Sequence, residues 1–215
     1  MKYFVIIKKN SVRVPNKNFR ILAGLPLWKH LIFELVDEPV YIDTDSSEII
    51  NECKELNWVI TYQRDQEHID LETSNEFGVS PVLKMIERFL DEHVVDENEI
   101  IVTPHVTSPF IKGKTISDAA KMLRKGYDSV QACTEHKEFV YLNGNPVNFD
   151  PMVVQKTQDL TPIIMGNGAF FIFTKKTFKK YKNRVGGNPY FYPLDFKEAI
   201  EIDNEEDFEL AEKFV

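Results

Sequence analysis

The chain has 215 residues, 43% of them hydrophobic, which suffices for one sizeable buried core without a low-complexity linker, so one domain over 1–215 is expected. Its 26 basic and 34 acidic residues give a formal charge of -8, which opposes non-specific attraction to a phosphate backbone and argues against nucleic acid as a partner. No segment reaches the roughly 18 apolar residues of a membrane span, and the two cysteines, Cys53 and Cys133, lack CxxC spacing and read as ordinary thiols of a cytoplasmic protein.

In chain order, residues 3–7 are a run of β-formers passing straight into a polar loop, 8–20, as a buried parallel strand feeding a functional loop does. The run is too brief for the apolar region of a signal peptide. Pro26 opens a helix to about residue 35; residues 40–42 form a strand; Asp43-Thr44-Asp45-Ser46 offers an Asp or Ser cap for a helix over 47–56. A strand over 58–61 follows, then a helix over 81–93 with one apolar face (Val82, Leu83, Met85, Ile86, Phe89, Leu90), and a strand over 99–103. A helix over 116–123 and a strand over 129–133 complete an alternation that predicts a mostly parallel sheet with helices on both faces, an α/β, Rossmann-like architecture.

Between residues 135 and 162 the alternation breaks, and Asn143-Gly144-Asn145 signals a hairpin that leaves the main sheet. Its aromatics, Phe139, Tyr141 and Phe149, are expected either to cover a partner surface or to close the hairpin locally. A strand over 169–173 and helices over 176–182 and 207–214 end the chain. Loops 8–20, 43–46, 104–109 and 201–203 all flank predicted strands and are expected to converge at the carboxyl edge of the sheet.

On its own chemistry, the loop Arg13-Val14-Pro15-Asn16-Lys17-Asn18, with Ser11, supplies fixed cations and donors that suit a triphosphate, although a solvated basic loop has the same composition. Glu201 and Asp203 stand at alternate positions of an extended segment, where side chains share a side and can reach one hard cation. They equally open an acidic tail, since Glu205, Glu206 and Asp207 follow.

Arg13-Val14-Pro15-Asn16-Lys17-Asn18 followed by Gly24-Leu25-Pro26-Leu27 resembles the nucleotide-binding opening of the CMP-sialic acid synthetases, the acylneuraminate cytidylyltransferase family. Further stretches match in order: Asp43-Thr44-Asp45-Ser46, Gln63-Arg64-Asp65, Thr107-Ser108-Pro109, Tyr127-Asp128-Ser129, Gln158-Asp159-Leu160, Asn167-Gly168-Ala169, and the close at Ile202-Asp203-Asn204. The resemblance implies a nucleotidyltransferase fold with a protruding dimerisation segment at about 135–162, a homodimer, and transfer of CMP from CTP to a sialic-acid-like 2-keto-3-deoxy sugar acid for glycan or surface polysaccharide synthesis. It further implies Mg2+ on Asp203 and Glu201, and phosphate and nucleotide contacts from Lys8, Ser11, Arg13, Lys17, Asn18, His105 and Thr107. Arg64, Gln158 and Asn167 would meet the acidic sugar or the ribose, and Lys156 would reach across the dimer.

The sequence also departs from that family. The opening loop reads Ile7-Lys8-Lys9-Asn10-Ser11-Val12 where the family carries glycines, and Val12 stands where a lysine is expected to face the phosphates. His105-Val106 replaces a Gln-Pro pair thought to read cytosine; His105 can donate or accept, and as a metal ligand or general base it is the sharper idea. Asp43-Thr44-Asp45 also spells the Asp-x-Asp that metal-dependent glycosyltransferases use, with Asp45 alternatively a helix cap, and the lost glycines admit a catalytically silent nucleotide-binding homologue.

Overall fold

The computed structural model describes residues 1–11, 13–74 and 80–215, and of residues 72–74 the backbone only. Val12 lies outside the described residues. In chain order the elements are β1 (Lys2–Ile7), a short hairpin of β2 (Ile21–Leu22) and β3 (Leu25–Pro26), α1 (Leu27–Glu34), β4 (Val40–Thr44), α2 (Ser47–Cys53), β5 (Val59–Gln63), α3 (Gln66–Ser74) and α4 (Pro81–His93). Then come β6 (Ile100–Pro104), α5 (Gly113–Ala120), β7 (Ser129–His136), β8 (Tyr141–Leu142), β9 (Asn145–Pro146), β10 (Ile163–Thr174), α6 (Lys175–Tyr181), β11 (Pro189–Pro193) and α7 (Glu205–Glu212).

Seven strands form one sheet in the order β11-β7-β10-β6-β1-β4-β5. β6, β1, β4 and β5 run parallel, and β11 runs parallel to β7. β10 is antiparallel to both β6 and β7, so the sheet is mixed rather than wholly parallel. β1 is apolar at nearly every position because both of its faces are covered. Tyr3, Val5 and Ile7 pack with Trp28, Leu31 and Ile116 on one side, while Phe4 packs with Met85, Ile86, Phe89 and Phe173 on the other. The two helical layers therefore meet opposite faces of the same strand, as its period of two requires. A third cluster, Leu22, Leu27, Phe110, Ile200, Ile202 and Phe208, fastens α7 and the segment before it to the β2–β3 hairpin.

The excursion is smaller in regular structure than its sequence suggests. Asn143 and Gly144 take φ of 51° and 81°, the left-handed pair that an Asn-Gly hairpin turn demands, and join strands of only two residues each. Phe149 is the centre of the aromatic group, in edge contact with Phe139 at 4.9 Å and Tyr141 at 5.1 Å. Local closure of the hairpin thus accounts for Phe149, whereas Phe139 and Tyr141 remain 42% and 59% exposed.

Candidate active site

Two parallel strands, β4 and β5, extend the sheet on one side of β1, and β6 lies against its other edge. The carboxyl ends of β1 and β6 therefore border the point where strand order reverses, the place at which open α/β sheets bind ligands. A cleft of about 210 Å³ opens there, lined by Lys8, Ser11, Lys17 and Asn18 from the loop after β1, by residues 103–107 at the end of β6, and by Arg184. Asn18 donates from Nδ2 to the Lys8 carbonyl at 2.8 Å. Its Oδ1, like Thr103 Oγ1, is buried without a hydrogen-bond partner among the described residues, and such orphans in a cleft wall point to a polar ligand that completes them.

The closing segment reaches the cleft because Ile202 is pinned. Its side chain is fully buried, its N–H donates to the Thr107 carbonyl at 2.8 Å, and its carbonyl accepts from Lys17 Nζ at 2.6 Å. Glu201 and Asp203 on either side then meet cleft residues. Asp203 Oδ1 accepts from Arg13 Nη2 at 2.7 Å and lies 3.4 Å from Lys17 Nζ. Its own N–H donates to Asp207 Oδ2 at 2.8 Å, within the Asn204–Asp207 capping box that starts α7. The run of Glu205, Glu206 and Asp207 is thus the first turn of a helix, where acidic side chains oppose the macrodipole, not a loose tail. Burial pulls the Lys17 ammonium below its ordinary pKa, and the Asp203 carboxylate opposes that shift.

Glu201 Oε2 accepts from Gly168 N–H at 3.1 Å, while Oε1 accepts from Thr107 Oγ1 at 3.4 Å and lies 3.6 Å from His105 Nδ1. The neighbouring imidazole, chiefly, holds the Glu201 carboxyl below its ordinary range against the effect of burial. His105 Nε2 lies 3.4 Å from Arg184 Nη1. A guanidinium has no lone pair to offer, so Nε2 must accept and the imidazole proton sits on Nδ1, facing Glu201. His105, singled out from the sequence without an obvious partner, is held between a carboxylate and a guanidinium.

Six of the expected residues, Arg13, Lys17, His105, Thr107, Glu201 and Asp203, form this connected constellation, and Lys8, Ser11 and Asn18 line the cleft beside it. The other four stand elsewhere. Arg64 donates from Nε to Asp43 Oδ1 at 2.6 Å with both side chains at 0% exposure, and reaches the Ile7 carbonyl at 3.4 Å, so it sits beneath the strand ends rather than in the cleft wall. Asn167 spends its amide on the Ala199 carbonyl and the Ala169 N–H, holding the irregular stretch of β10. Lys156 and Gln158 are exposed in the excursion, where the Gln158 carbonyl accepts from Lys137 at 2.9 Å.

The two carboxylates of the early acidic motif meet protein partners. Asp43 is consumed by Arg64, Asp45 Oδ1 accepts from the Lys9 N–H at 2.6 Å and so braces the phosphate-type loop, and the cap of α2 is Ser46, not Asp45. Glu201 and Asp203 flank the buried Ile202 and contact the cleft residues His105, Thr107 and Lys17. Among the described residues no group of three or more His, Cys, Asp or Glu converges, so a cation there would draw its remaining ligands from phosphate and water, as Mg2+ does.

Arg184 escaped the sequence reading. It belongs to a loop between α6 and β11, and β11 itself carries no alternation that distinguishes it from a loop, so no periodic signal surrounds it. The Gly168–Glu201 contact was equally hidden, because it joins residues 33 apart.

The chain is similar to cytidylyltransferases over nearly its whole length. N-acylneuraminate cytidylyltransferase A of Danio rerio is 26% identical over 224 residues, covering 98% of this chain and 50% of the relative. The CMP-N,N'-diacetyllegionaminic acid synthase of Legionella pneumophila is 27% identical over 229 residues, covering 97% of this chain and 93% of the relative. The chain spans about half the length of several of the curated relatives it matches, at 49–52% for the fish and streptococcal proteins. Among solved structures, CMP:2-keto-3-deoxy-manno-octonic acid synthetase in complex with CTP superposes with a TM-score of 0.63 at 10% identity, covering 99% of this chain and 96% of that one. A 4-diphosphocytidyl-2C-methyl-D-erythritol synthase from Anaerococcus prevotii gives 0.66 at 12%, covering 99% and 95%. At these identities the structures share the fold, which is the nucleotidyltransferase architecture expected from the sequence. The sequence pattern of the cytidylyltransferase family matches residues 5–214, the stretch that contains the end of β1, the cation loop and the Glu201–Asp203 segment, and the chain belongs to that family.

Proposed function

We propose that this protein transfers CMP from CTP to the anomeric hydroxyl of a 2-keto-3-deoxy sugar acid and releases pyrophosphate. The observation that carries the reading is the juxtaposition, at the switch point of a cytidylyltransferase-family fold, of Lys8, Arg13 and Lys17 with the paired carboxylates Glu201 and Asp203. Resemblance to an N-acylneuraminate cytidylyltransferase and to a CMP-N,N'-diacetyllegionaminic acid synthase favours an acceptor of the acylneuraminate or legionaminic acid type. Transfer of this kind needs positioning and charge compensation more than covalent chemistry. Mg2+ held by Asp203 and Glu201 would draw charge from the α-phosphate. Lys8, Lys17 and Arg13 would meet the departing pyrophosphate, with Arg13 exchanging Asp203 for phosphate. The orphaned Asn18 Oδ1 and Thr103 Oγ1 offer acceptor and donor positions for base or ribose.

A pyrophosphate-release screen of CTP, UTP, ATP and GTP against a panel of sugar acids tests the reading. Release is expected with CTP and at least one acid, with the other nucleotides at least about tenfold slower, a ratio equivalent to about 1.4 kcal/mol. Equal rates with all four would show that the cleft does not select cytosine, and release with none would remove the transfer reading.

Gly168 supplies a second expected result. A Cβ at this position would collide with both carboxylate oxygens of Glu201, so Gly168→Ala must push that carboxylate off its place while the apolar core stays as it is. Turnover is expected to fall at least about tenfold with little change in CTP affinity, the pattern of an interaction made in the transition state; unchanged turnover would show that the placement of Glu201 is immaterial.

The excursion supports a homodimer. Tyr141, Leu142, Met152 and Val154 are exposed apolar side chains within it, at 59%, 67%, 89% and 103%, a density that isolated soluble chains rarely leave uncovered. Lys156 lies in the same segment and would reach the neighbouring site. Sedimentation at micromolar concentration is expected to give about twice 25.0 kDa; a monomer that turns over would leave Lys156 no role across an interface. With no helix among the described residues long and apolar enough to cross a membrane, and with two free thiols buried, the cytoplasm is the compartment we assign.

A further inference from the structure

We propose that Arg184 reads the carboxylate of the acceptor sugar acid, an inference that rests on the CMP-transfer reading above and adds the residue that sets its substrate class. The guanidinium carbon of Arg184 lies 3.8 Å from the centroid of the Phe171 ring, and the side chain lines the same cleft as Lys17 and His105. Its polar contact is His105 Nε2 at 3.4 Å, and no carboxylate pairs with it among the described residues. Of the other five arginines, Arg13, Arg20, Arg64 and Arg88 face an Asp or Glu, and Arg124, outside the cleft, has no described ion pair. Burial lowers the Arg184 pKa to about 10, so its surroundings disfavour the charge that the side chain nonetheless carries at neutral pH. A cation placed so, in a cleft wall and without a counter-ion, gains most from an anion that arrives with a ligand.

The anion is a carboxylate rather than the triphosphate because of where Arg184 stands. The phosphate-type cations, Arg13 and Lys17, are grouped around Asp203, whereas Arg184 lies beyond His105 from Glu201 and stacks on Phe171, in a cleft whose lining also includes the apolar Phe4, Ile6 and Val82. An apolar wall suits a carbon skeleton with one charged end and not a chain of phosphates. Stacking on Phe171 covers a face of the guanidinium and leaves its edge, a planar fork of N–H donors that matches a carboxylate in bidentate fashion. A lysine here would keep the charge and lose the fork.

The test uses the full chain with CTP and whichever of N-acetylneuraminate, N,N'-diacetyllegionaminate and 3-deoxy-manno-octulosonate supports the fastest pyrophosphate release, compared with the methyl ester of the same acid. The unaltered protein is expected to prefer the acid by about 10- to 100-fold in kcat/KM, the range of a charge-assisted hydrogen-bonded pair. Arg184→Met keeps a flexible stem over Phe171 and should bring the acid-to-ester ratio of kcat/KM close to one through a raised KM for the acid, a ratio that cancels any change which loss of the His105 contact makes to both substrates alike. Arg184→Lys should fall between, and it carries the test if the methionine variant fails to fold. An acid-to-ester ratio preserved in both variants, or a loss of CTP affinity with the ratio intact, would overturn the assignment while leaving CMP transfer standing. If none of the three acids releases pyrophosphate with the unaltered protein, the transfer reading and this assignment fall together.

Discussion

Asp203→Asn is expected to lower turnover by about 100-fold or more, the scale on which single groups that stabilise transition-state charge act. Asn keeps the shape of the side chain and the backbone that Asp207 holds, so α7 and its capping box should remain. What is lost is the charge facing Arg13 and Lys17, together with one of the two carboxylates available to a cation. Because both cations are freed for phosphate, CTP should bind as well as before or more tightly while turnover collapses, which separates this outcome from general damage to the site. Glu201→Gln should be milder, since one amide oxygen can still accept from Gly168 or Thr107. Near-full activity in Asp203→Asn together with a dead Asp45→Asn would move the chemistry to the early acidic motif, against the position of Asp45 on the Lys9 N–H.

The largest stability effect is expected at Arg64. Its pairing with Asp43 is wholly buried, so Arg64→Leu would leave a carboxylate inside the sheet layer with its counter-charge removed. Breaking such a pair from one side costs about 3–5 kcal/mol, equivalent to a fall of roughly 6–20 °C in Tm for a chain of this size. Burial already pushes the Asp43 carboxyl up and the guanidinium opposes it, so the single variant should take up a proton at Asp43 on folding. The double variant Asp43→Leu/Arg64→Leu should recover part of the loss, because an apolar pair carries no desolvation cost. Urea unfolding measures both. A single variant within about 1 kcal/mol of the original would mean that the pair is solvated in practice, and Arg64 would return as a candidate for substrate contact.

The sequence carried the layers of the fold and much less of its edges. α4 was legible to its termini because six apolar residues repeat at helical spacing, and β1 because five β-formers precede a polar loop. β10 was read too short, beginning at residue 169 where the strand starts at Ile163, since Gly166 and Gly168 lack the β-branched signal and Gly168 serves instead to admit Glu201. Its antiparallel direction follows from pairing with β6 and β7, which no local pattern encodes. α3 and β11 were missed: the first carries little apolar periodicity, and the second is an edge strand begun and ended by proline. At the site, Lys17 and Asp203 were visible as a cation and a carboxylate of suitable types, and their meeting across 186 positions was legible only through family resemblance. Asp43 shows the opposite case. Its place in an Asp-x-Asp suggested a cation, and burial against Arg64, 21 residues away, makes it part of the scaffold.

In the proposed reaction the α-phosphorus of CTP moves to a sugar acid. Incubation with CTP labelled at the α-phosphorus, Mg2+ and the sugar-acid panel, followed by separation of products, tests it directly. The expected result is label in a conjugate of cytidine monophosphate with one acid, formed in equal amount to unlabelled pyrophosphate and absent when Asp203→Asn replaces the original chain. Label that stays in CTP, or that leaves only as free CMP whether or not an acid is present, would contradict it.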